Sequence, residues 1–186
     1  MQKFSVSLFA RLQAAAHEIH RVSSLTGSAM LAALTVVMDR LCTWQVSQQL
    51  EIGFSFLVVA ASAYLYGPWL AGMAGVVVDL ISYFLRPNGD FFFGFILNQF
   101  LLGFIYGCWF YKKKVTLLRT FCACLTVVLV LNLCLTPLWL HIMYGNTALL
   151  SAARLIKNLI KLPIDTGLLF LFLKVVETRL APQLRR

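Results

Sequence analysis

The sequence TFCACLTVVLVLNLCLTPLWLHIMYGNTALLSAA, from Thr120 to Ala153, contains no Lys, Arg, Asp or Glu. A membrane crossing needs about 20 apolar residues, so this stretch is too long for a single transmembrane helix. We divide it near residues 141–146 (HIMYGN), where polar residues interrupt the apolar run. It therefore predicts two successive membrane helices, covering about residues 117–140 and 148–175.

The composition of the whole chain agrees with a membrane protein. Of its 186 residues, 60% are hydrophobic and 12% are charged, whereas a soluble domain carries roughly 25% charged residues. This balance excludes a disordered chain and argues against a soluble enzyme. At about 20 residues per crossing, the length allows about six helices and leaves no separate soluble domain.

Four further apolar segments precede the uncharged stretch, and polar or turn residues separate them. They cover about residues 25–41, 54–66, 69–85 and 91–111. Pro68 cannot continue a helix, so Tyr66-Gly67-Pro68 predicts a very short turn. The polar residues 43–53 predict a loop with aqueous exposure, and residues 86–90 (RPNGD) predict another loop. The predicted fold is an all-α membrane protein with six transmembrane helices.

The basic residues favour one end of these helices. With both termini inside, only Arg40 and Arg86 lie on the outer side, and three basic residues lie within the sixth span. The other eleven of the 16 lie inside: Lys3, Arg11, Arg21, Lys112, Lys113, Lys114, Arg119, Lys174, Arg179, Arg185 and Arg186. This asymmetry predicts that both termini are cytoplasmic.

Three regions follow from this topology. Residues 25–176 form the six-helix transmembrane domain, and residues 177–186 form a basic cytoplasmic tail. Residues 1–24 form a cytoplasmic segment with apolar residues at helical spacing. A short helix on the membrane surface and a loosely ordered tail explain that spacing equally well.

The standard catalytic and metal-binding signatures are missing from the sequence. No glycine is followed by lysine, so there is no phosphate-binding P-loop, and neither HExxH nor GxSxG occurs. Two of the three histidines lie in the N-terminal segment. We therefore expect no catalytic residue, no metal and no cofactor in this chain.

The sixth predicted span carries a polar stripe. Arg154, Lys157, Lys161 and Asp165 fall within about 80° of one another on a helix, and Asn158 lies close beside them. Lys161 and Asp165 are four residues apart and are expected to pair. Arg154 and Lys157 then remain near the outer end as cations for an anionic ligand. Alternatively, both reach outward to the lipid head groups.

Five other residues are candidates for a binding site. Arg40 is either a further cation for a ligand or the partner of Asp39. Asp79 and Asn98 are polar groups within apolar runs, suited to the edge of a flat heterocycle or to hydrogen bonds between helices. Trp44 and Trp139 lie near the outer ends of their spans and suit either ring stacking or an interfacial aromatic belt.

The order of several short motifs resembles a known family. Span one contains Ser28-Ala29-Met30-Leu31-Ala32-Ala33-Leu34, which is similar to the AxxxA start of the S components of energy-coupling factor (ECF) transporters. Later segments occur in an order similar to the folate-specific members: Phe54-Ser55-Phe56, Tyr66-Gly67-Pro68 with Gly72 and Gly75, Asp79-Leu80, Ile105-Tyr106-Gly107, Asn132 with Leu138-Trp139, and Ala153-Arg154-Leu155-Ile156-Lys157. The resemblance covers about residues 28–174.

The resemblance implies a function and a set of partners. S components are bacterial six-helix membrane proteins that each bind one vitamin near the outer face. They dock on a transmembrane coupling subunit with two ATPases, which hydrolyse ATP, and topple to release the vitamin inside. Ala29 and Ala33 would contact the coupling subunit. The location implied is the bacterial cell membrane.

Folate fits the candidate residues chemically, because it combines a flat pterin with a glutamate that has two carboxylates. We expect its site to consist of Arg40, Trp44, Asp79, Asn98, Trp139, Arg154 and Lys157. The alternatives are an S component for pantothenate, riboflavin or thiamine, a small intramembrane enzyme, and a structural bundle without a ligand. The cations of the set argue against thiamine, which is itself a cation.

Overall fold

The computed structural model describes residues 8–41, 44–47, 50–85, 92–144 and 152–180, and within them the chain is helical apart from one hairpin. The α-helices are α1 Leu8–Glu18, α2 Val22–Leu41, α3 Ser55–Tyr66, α4 Pro68–Leu85, α5 Phe93–Phe110, α6 Leu117–Val127, α7 Thr136–Tyr144 and α8 Ala152–Val175. A π-helical segment, Val128–Leu135, joins α6 to α7. A second one, Val176–Leu180, follows α8.

Each predicted span coincides with helical structure, and the fifth comprises α6, the first π-helical segment and α7. Among the described residues, four helices are long and apolar enough to cross a membrane: α2, α4, α5 and Leu117–Met143. α3 is apolar but has 12 residues, and α8 has 24 residues but carries the polar stripe. The class of helical membrane protein is confirmed, whereas six crossings and cytoplasmic termini stay predictions, as do the three regions.

The segment between α2 and α3 differs from its prediction. It was expected to be a loop, but it contains strands β1 (Trp44–Ser47) and β2 (Leu50–Ile52), which pair antiparallel. Trp44 is opposite Ile52, and Gln45 is opposite Glu51. A hairpin satisfies the backbone N–H and C=O groups of this segment without help from the helices. Polar composition alone could not distinguish it from an irregular loop.

The closest helix packing is between α4 and α5, and glycine makes it possible. A Cβ atom on Gly103 would lie 2.5 Å from the carbonyl oxygen of Ala71, and one on Gly75 would lie 2.6 Å from that of Gln99. Gly107 lies directly against Pro68. Gly103 and Gly107, four residues apart on α5, thus form an internal packing face.

The N-terminal segment contains an ordered helix, α1, which packs against the turn between α3 and α4. Ala15 is fully buried, close to Gly67, which has a positive φ of 92°. The indole N–H of Trp69 donates to the carbonyl oxygen of Leu12 at 3.2 Å. These contacts favour the helical alternative for residues 8–18. Its position at the membrane surface stays a prediction.

Candidate binding site

A cavity of about 350 Å³ lies between α2, α3, α5, α6, the first π-helical segment and α8, and Gly53, which follows β2, belongs to its lining. Its size is at the lower end of the roughly 300–1,000 Å³ that is usual for small-molecule sites. Its described lining combines polar and apolar side chains: Asp39, Gly53, Ser55, Phe56, Gln99, Leu102, Tyr106, Cys124, Val127, Val128, Asn132, Lys161, Leu162 and Asp165.

An ion pair occupies one wall of this cavity. Lys161 and Asp165 are both on α8, and Nζ lies 3.6 Å from Oδ2. Their side chains are 30% and 23% exposed, and Nζ is 5.9 Å from the centre of the Phe56 ring. The pairing predicted from their spacing is thus confirmed. It lowers the cost of placing both charges inside an apolar bundle.

Two asparagines link the π-helical segment to α8. Asn132 lines the cavity, and its Nδ2 donates to Oδ1 of Asn158 at 3.4 Å. Asn158 is only 6% exposed, and its Nδ2 has no hydrogen-bond partner among the described residues. Single-turn π-helical insertions are frequent at functional sites because they shift side chains out of regular α-helical register. Here the insertion contains Asn132.

Asn98 and Trp139 come together, but neither lines this cavity. The indole N–H of Trp139 donates to Oδ1 of Asn98 at 3.1 Å, and Nδ2 of Asn98 donates to the hydroxyl of Thr136 at 3.2 Å. The Trp139 ring lies 5.6 Å from that of Phe92, and Gly94 makes room for both rings. Asn98 thus makes hydrogen bonds between α5 and α7, which is one of the two roles that the sequence predicted for it.

Arg40 and Asp79 lie where α2 meets α4. Nη2 of Arg40 donates to the carbonyl oxygen of Ser82, while its buried Nε has no hydrogen-bond partner in the described part of the chain. Asp79 is close enough to Asp39 for the two carboxylates to interact. Neither Arg40 nor Asp79 belongs to the cavity lining, but Asp39 does. The contact of Arg40 with α4 is a third role, beyond the two considered from the sequence.

Three predicted site residues are described only in part. The backbones of Arg154 and Lys157 belong to α8, and that of Trp44 belongs to β1. Their side chains lie outside the described part of the molecule, so their place in the site stays a prediction. The predicted loop at residues 86–90 also lies outside it.

Four residues of the cavity lining were not among the predicted site residues: Gln99, Tyr106, Lys161 and Asp165. The ion pair was recognised, but its members were regarded as satisfied by each other. Tyr106 is only 3% exposed and was noted only within a motif. Gln99 directly follows Asn98 in the sequence, and helical phase decides between them: Gln99 reaches the cavity, and Asn98 reaches Trp139.

The described residues form no metal cluster, and they leave Ala29 and Ala33 of α2 uncovered. Among the described residues, no three His, Cys, Asp or Glu side chains meet as a metal site requires. Ala29 and Ala33 are exposed, and Met30 between them is 74% exposed. This face is open to a neighbouring helix.

Comparison with known proteins places the chain in a family. Residues 23–173 match the family described as "ECF transporter, substrate-specific component". The folate transporter FolT of Clostridium novyi (strain NT) is 33% identical over 158 residues, 84% of this chain and 91% of the relative. FolT of Leuconostoc mesenteroides subsp. mesenteroides is 31% identical over 152 residues, 78% of this chain and 81% of the relative.

A solved structure agrees with these relatives. The crystal structure of FolT bound with folic acid superposes with a TM-score of 0.73 at 37% identity, covering 80% of this chain and 93% of that one. The chain therefore belongs to the substrate-specific components of ECF transporters, and it is a multi-pass protein of the bacterial cell membrane.

Proposed function

We propose that this chain is the folate-binding S component of an ECF importer. The observation that carries the proposal is the likeness to FolT bound with folic acid, which covers 93% of that chain at 37% identity. The cavity, with its amide, carboxylate and aromatic side chains, supports a ligand that is flat and polar at its edge. This function is transport, so we propose that the chain is not an enzyme.

The proposed ligand set divides by chemistry. Trp44 and Trp139 offer ring faces, and Asn98 and Asp79 offer hydrogen bonds. Arg40, Arg154 and Lys157 offer cations to the glutamate carboxylates. Asn98 and Trp139 bond to each other at 3.1 Å, so a ligand that uses them must exchange that bond for its own.

The proposed partners are a coupling subunit and two ATPases. The exposed Ala29 and Ala33 form a small-residue face on which a helix can approach closely. The chain has no P-loop sequence, in keeping with ATP hydrolysis on the partner subunits and with no cofactor of its own.

Calorimetric titration of the purified chain tests the ligand, with folate, riboflavin, pantothenate and thiamine as titrants. We expect one-to-one binding of folate only. Arg154→Ala should weaken it by about 10- to 100-fold, the value of a hydrogen bond to a charged group. The control is Lys112→Ala, an exposed lysine after α5, which should change nothing.

Three results would contradict parts of the proposal. Binding of another vitamin would keep the family and change the substrate. Folate binding that Arg154→Ala leaves intact would remove Arg154 from the site. A folded protein that binds none of the four would return attention to an intramembrane enzyme or a structural bundle.

A further inference from the structure

The described cavity lining contains more carboxylate than cation. It holds the carboxylates of Asp39 and Asp165 and the ammonium group of Lys161, which pairs with Asp165. Such a lining disfavours the acidic end of an anionic ligand, because like charges repel strongly where water is scarce. It favours a neutral group that presents hydrogen-bond donors.

Asp165 is well placed to accept such donors. The ion pair engages its Oδ2, and among the described residues Lys161 is the one donor found for this carboxylate. The buried side chains of Tyr106 and Cys124 line the cavity with it. An ionised carboxylate has about four acceptor positions, so the contact with Lys161 leaves capacity for two further hydrogen bonds.

The 2-amino-4-oxopyrimidine edge of a pterin carries two adjacent donors, the ring N3–H and the 2-amino group. These point the same way, at the spacing of the two carboxylate oxygens, and form a bidentate pair as a guanidinium does. We propose that Asp165 reads this edge and that Lys161 is the positioning residue that holds Asp165 ionised and oriented. The inference rests on the proposed folate function and assigns the ring end of that ligand.

The same assignment orients the ligand. Lys157 and Arg154 precede Lys161 on α8 by four and seven residues, which is about 6 and 10 Å along the helix axis at 1.5 Å per residue. A ring edge on Asp165 therefore directs the glutamate toward the N-terminal end of α8, where these two cations occur in the sequence. Additional glutamate residues on a folate would then point away from the cavity.

The test compares folic acid with 2-desamino-2-methylfolic acid, which lacks one of the two donors. Calorimetry on the full chain in detergent gives both dissociation constants. We expect the unaltered protein to prefer folic acid by about 10- to 100-fold, as for other hydrogen bonds to charged groups. In Asp165→Asn this preference should nearly disappear, mainly through weaker binding of folic acid.

Matched variants separate recognition from folding. Asp39→Asn neutralises the other carboxylate of the same cavity and should keep the preference. Lys161→Met should reduce the preference, and Lys161→Arg should restore it. If Asp165→Asn does not fold, Asp165→Glu keeps the charge but moves the carboxylate by one methylene, and it should lower the preference partly.

The outcomes are distinct. An unaltered protein that folds but binds neither compound overturns the proposed function. Folate binding with an unchanged preference in Asp165→Asn overturns this inference alone. Loss of the preference in Asp39→Asn instead of Asp165→Asn also overturns it, because the edge is then read from α2.

Discussion

Between α4 and α5 the two backbones touch, whereas between α5 and α8 the same bundle encloses a cavity. The first contact uses Gly75, Gly103 and Gly107, each within van der Waals distance of the opposite backbone. The second region contains an ion pair and a pair of asparagines. Gln99 belongs to both, since its backbone meets Gly75 and its side chain lines the cavity.

The two regions therefore differ in role: the contact between α4 and α5 is rigid, and the region between α5 and α8 is suited to binding a ligand. Close contact between two helices fixes their relative position, because any displacement loses many small attractive contacts at once. The polar groups between α5 and α8 are unfavourable inside a membrane bundle unless they form hydrogen bonds or ion pairs. α5 therefore presents Gln99 to the cavity from a helix that is held closely against α4.

The largest effect should come from breaking the close contact. Gly103→Leu places a side chain where a Cβ atom alone would lie 2.5 Å from the Ala71 carbonyl oxygen, and backbone cannot move aside cheaply. We expect destabilisation at or above the ~3 kcal/mol limit of ordinary overpacking, measured as thermal unfolding in detergent. The control is Gly167→Ala, because nothing lies within 4 Å of its Cβ position. Equal melting temperatures for the two variants would refute the rigid-frame argument.

The close contact was also the part of the fold that the sequence predicted best. Apolar runs, Pro68 and charged residues locate the helices to within a few residues, because membrane burial excludes other arrangements. The GxxxG spacing of Gly103 and Gly107 is typical of a helix face that packs closely against another helix. The hairpin and the π-helical segment were not predicted, since each depends on backbone pairing that the hydrophobic pattern does not reveal.

The site was less predictable, because the rotation of each helix and the pairing of polar side chains determine which residues face the cavity. Asn98 and Gln99 are adjacent and equally polar, yet they point to different neighbours. Asp165 has a local partner, which made it look structural. Arg40 was considered as a cation for a ligand or as the partner of Asp39, and the structure adds a hydrogen bond to α4. Only the packing of distant segments distinguishes these possibilities.

The second-largest effect should come from breaking the ion pair in the cavity wall. Asp165→Ala leaves the ammonium of Lys161 without its partner. We expect a loss of about 2 kcal/mol, less than the ~3–5 kcal/mol of a fully buried pair, because both side chains keep some exposure. The double variant Lys161→Met with Asp165→Leu should recover most of it, since neither charge then remains. Double-variant stability as low as that of Asp165→Ala would mean that Asp165 acts through another contact.

A smaller effect tests the link between α5 and α7. Asn98→Leu removes both the acceptor for Trp139 and the donor to Thr136. Hydrogen bonds between membrane helices contribute about 0.6–2 kcal/mol each, so we expect a loss of about 1–2 kcal/mol in the free energy of unfolding. Thr136→Val removes one bond and should cost less. Folate affinity measured on the same variants decides whether Asn98 also meets the ligand: a lower melting temperature with unchanged affinity would make it purely structural.

The smallest effect on the isolated chain should come from the exposed face of α2. Ala29→Leu adds a side chain where Ala29 is exposed, so the melting temperature and the folate affinity should both stay unchanged. The matched change Ala63→Leu, at a fully buried alanine of α3, should lower the melting temperature through overpacking. Assembly with the coupling subunit, measured by co-purification, is where Ala29→Leu should fail, because a larger side chain separates two helices that need close approach. Normal assembly of Ala29→Leu and Ala33→Leu would show that the partner uses another face of the bundle.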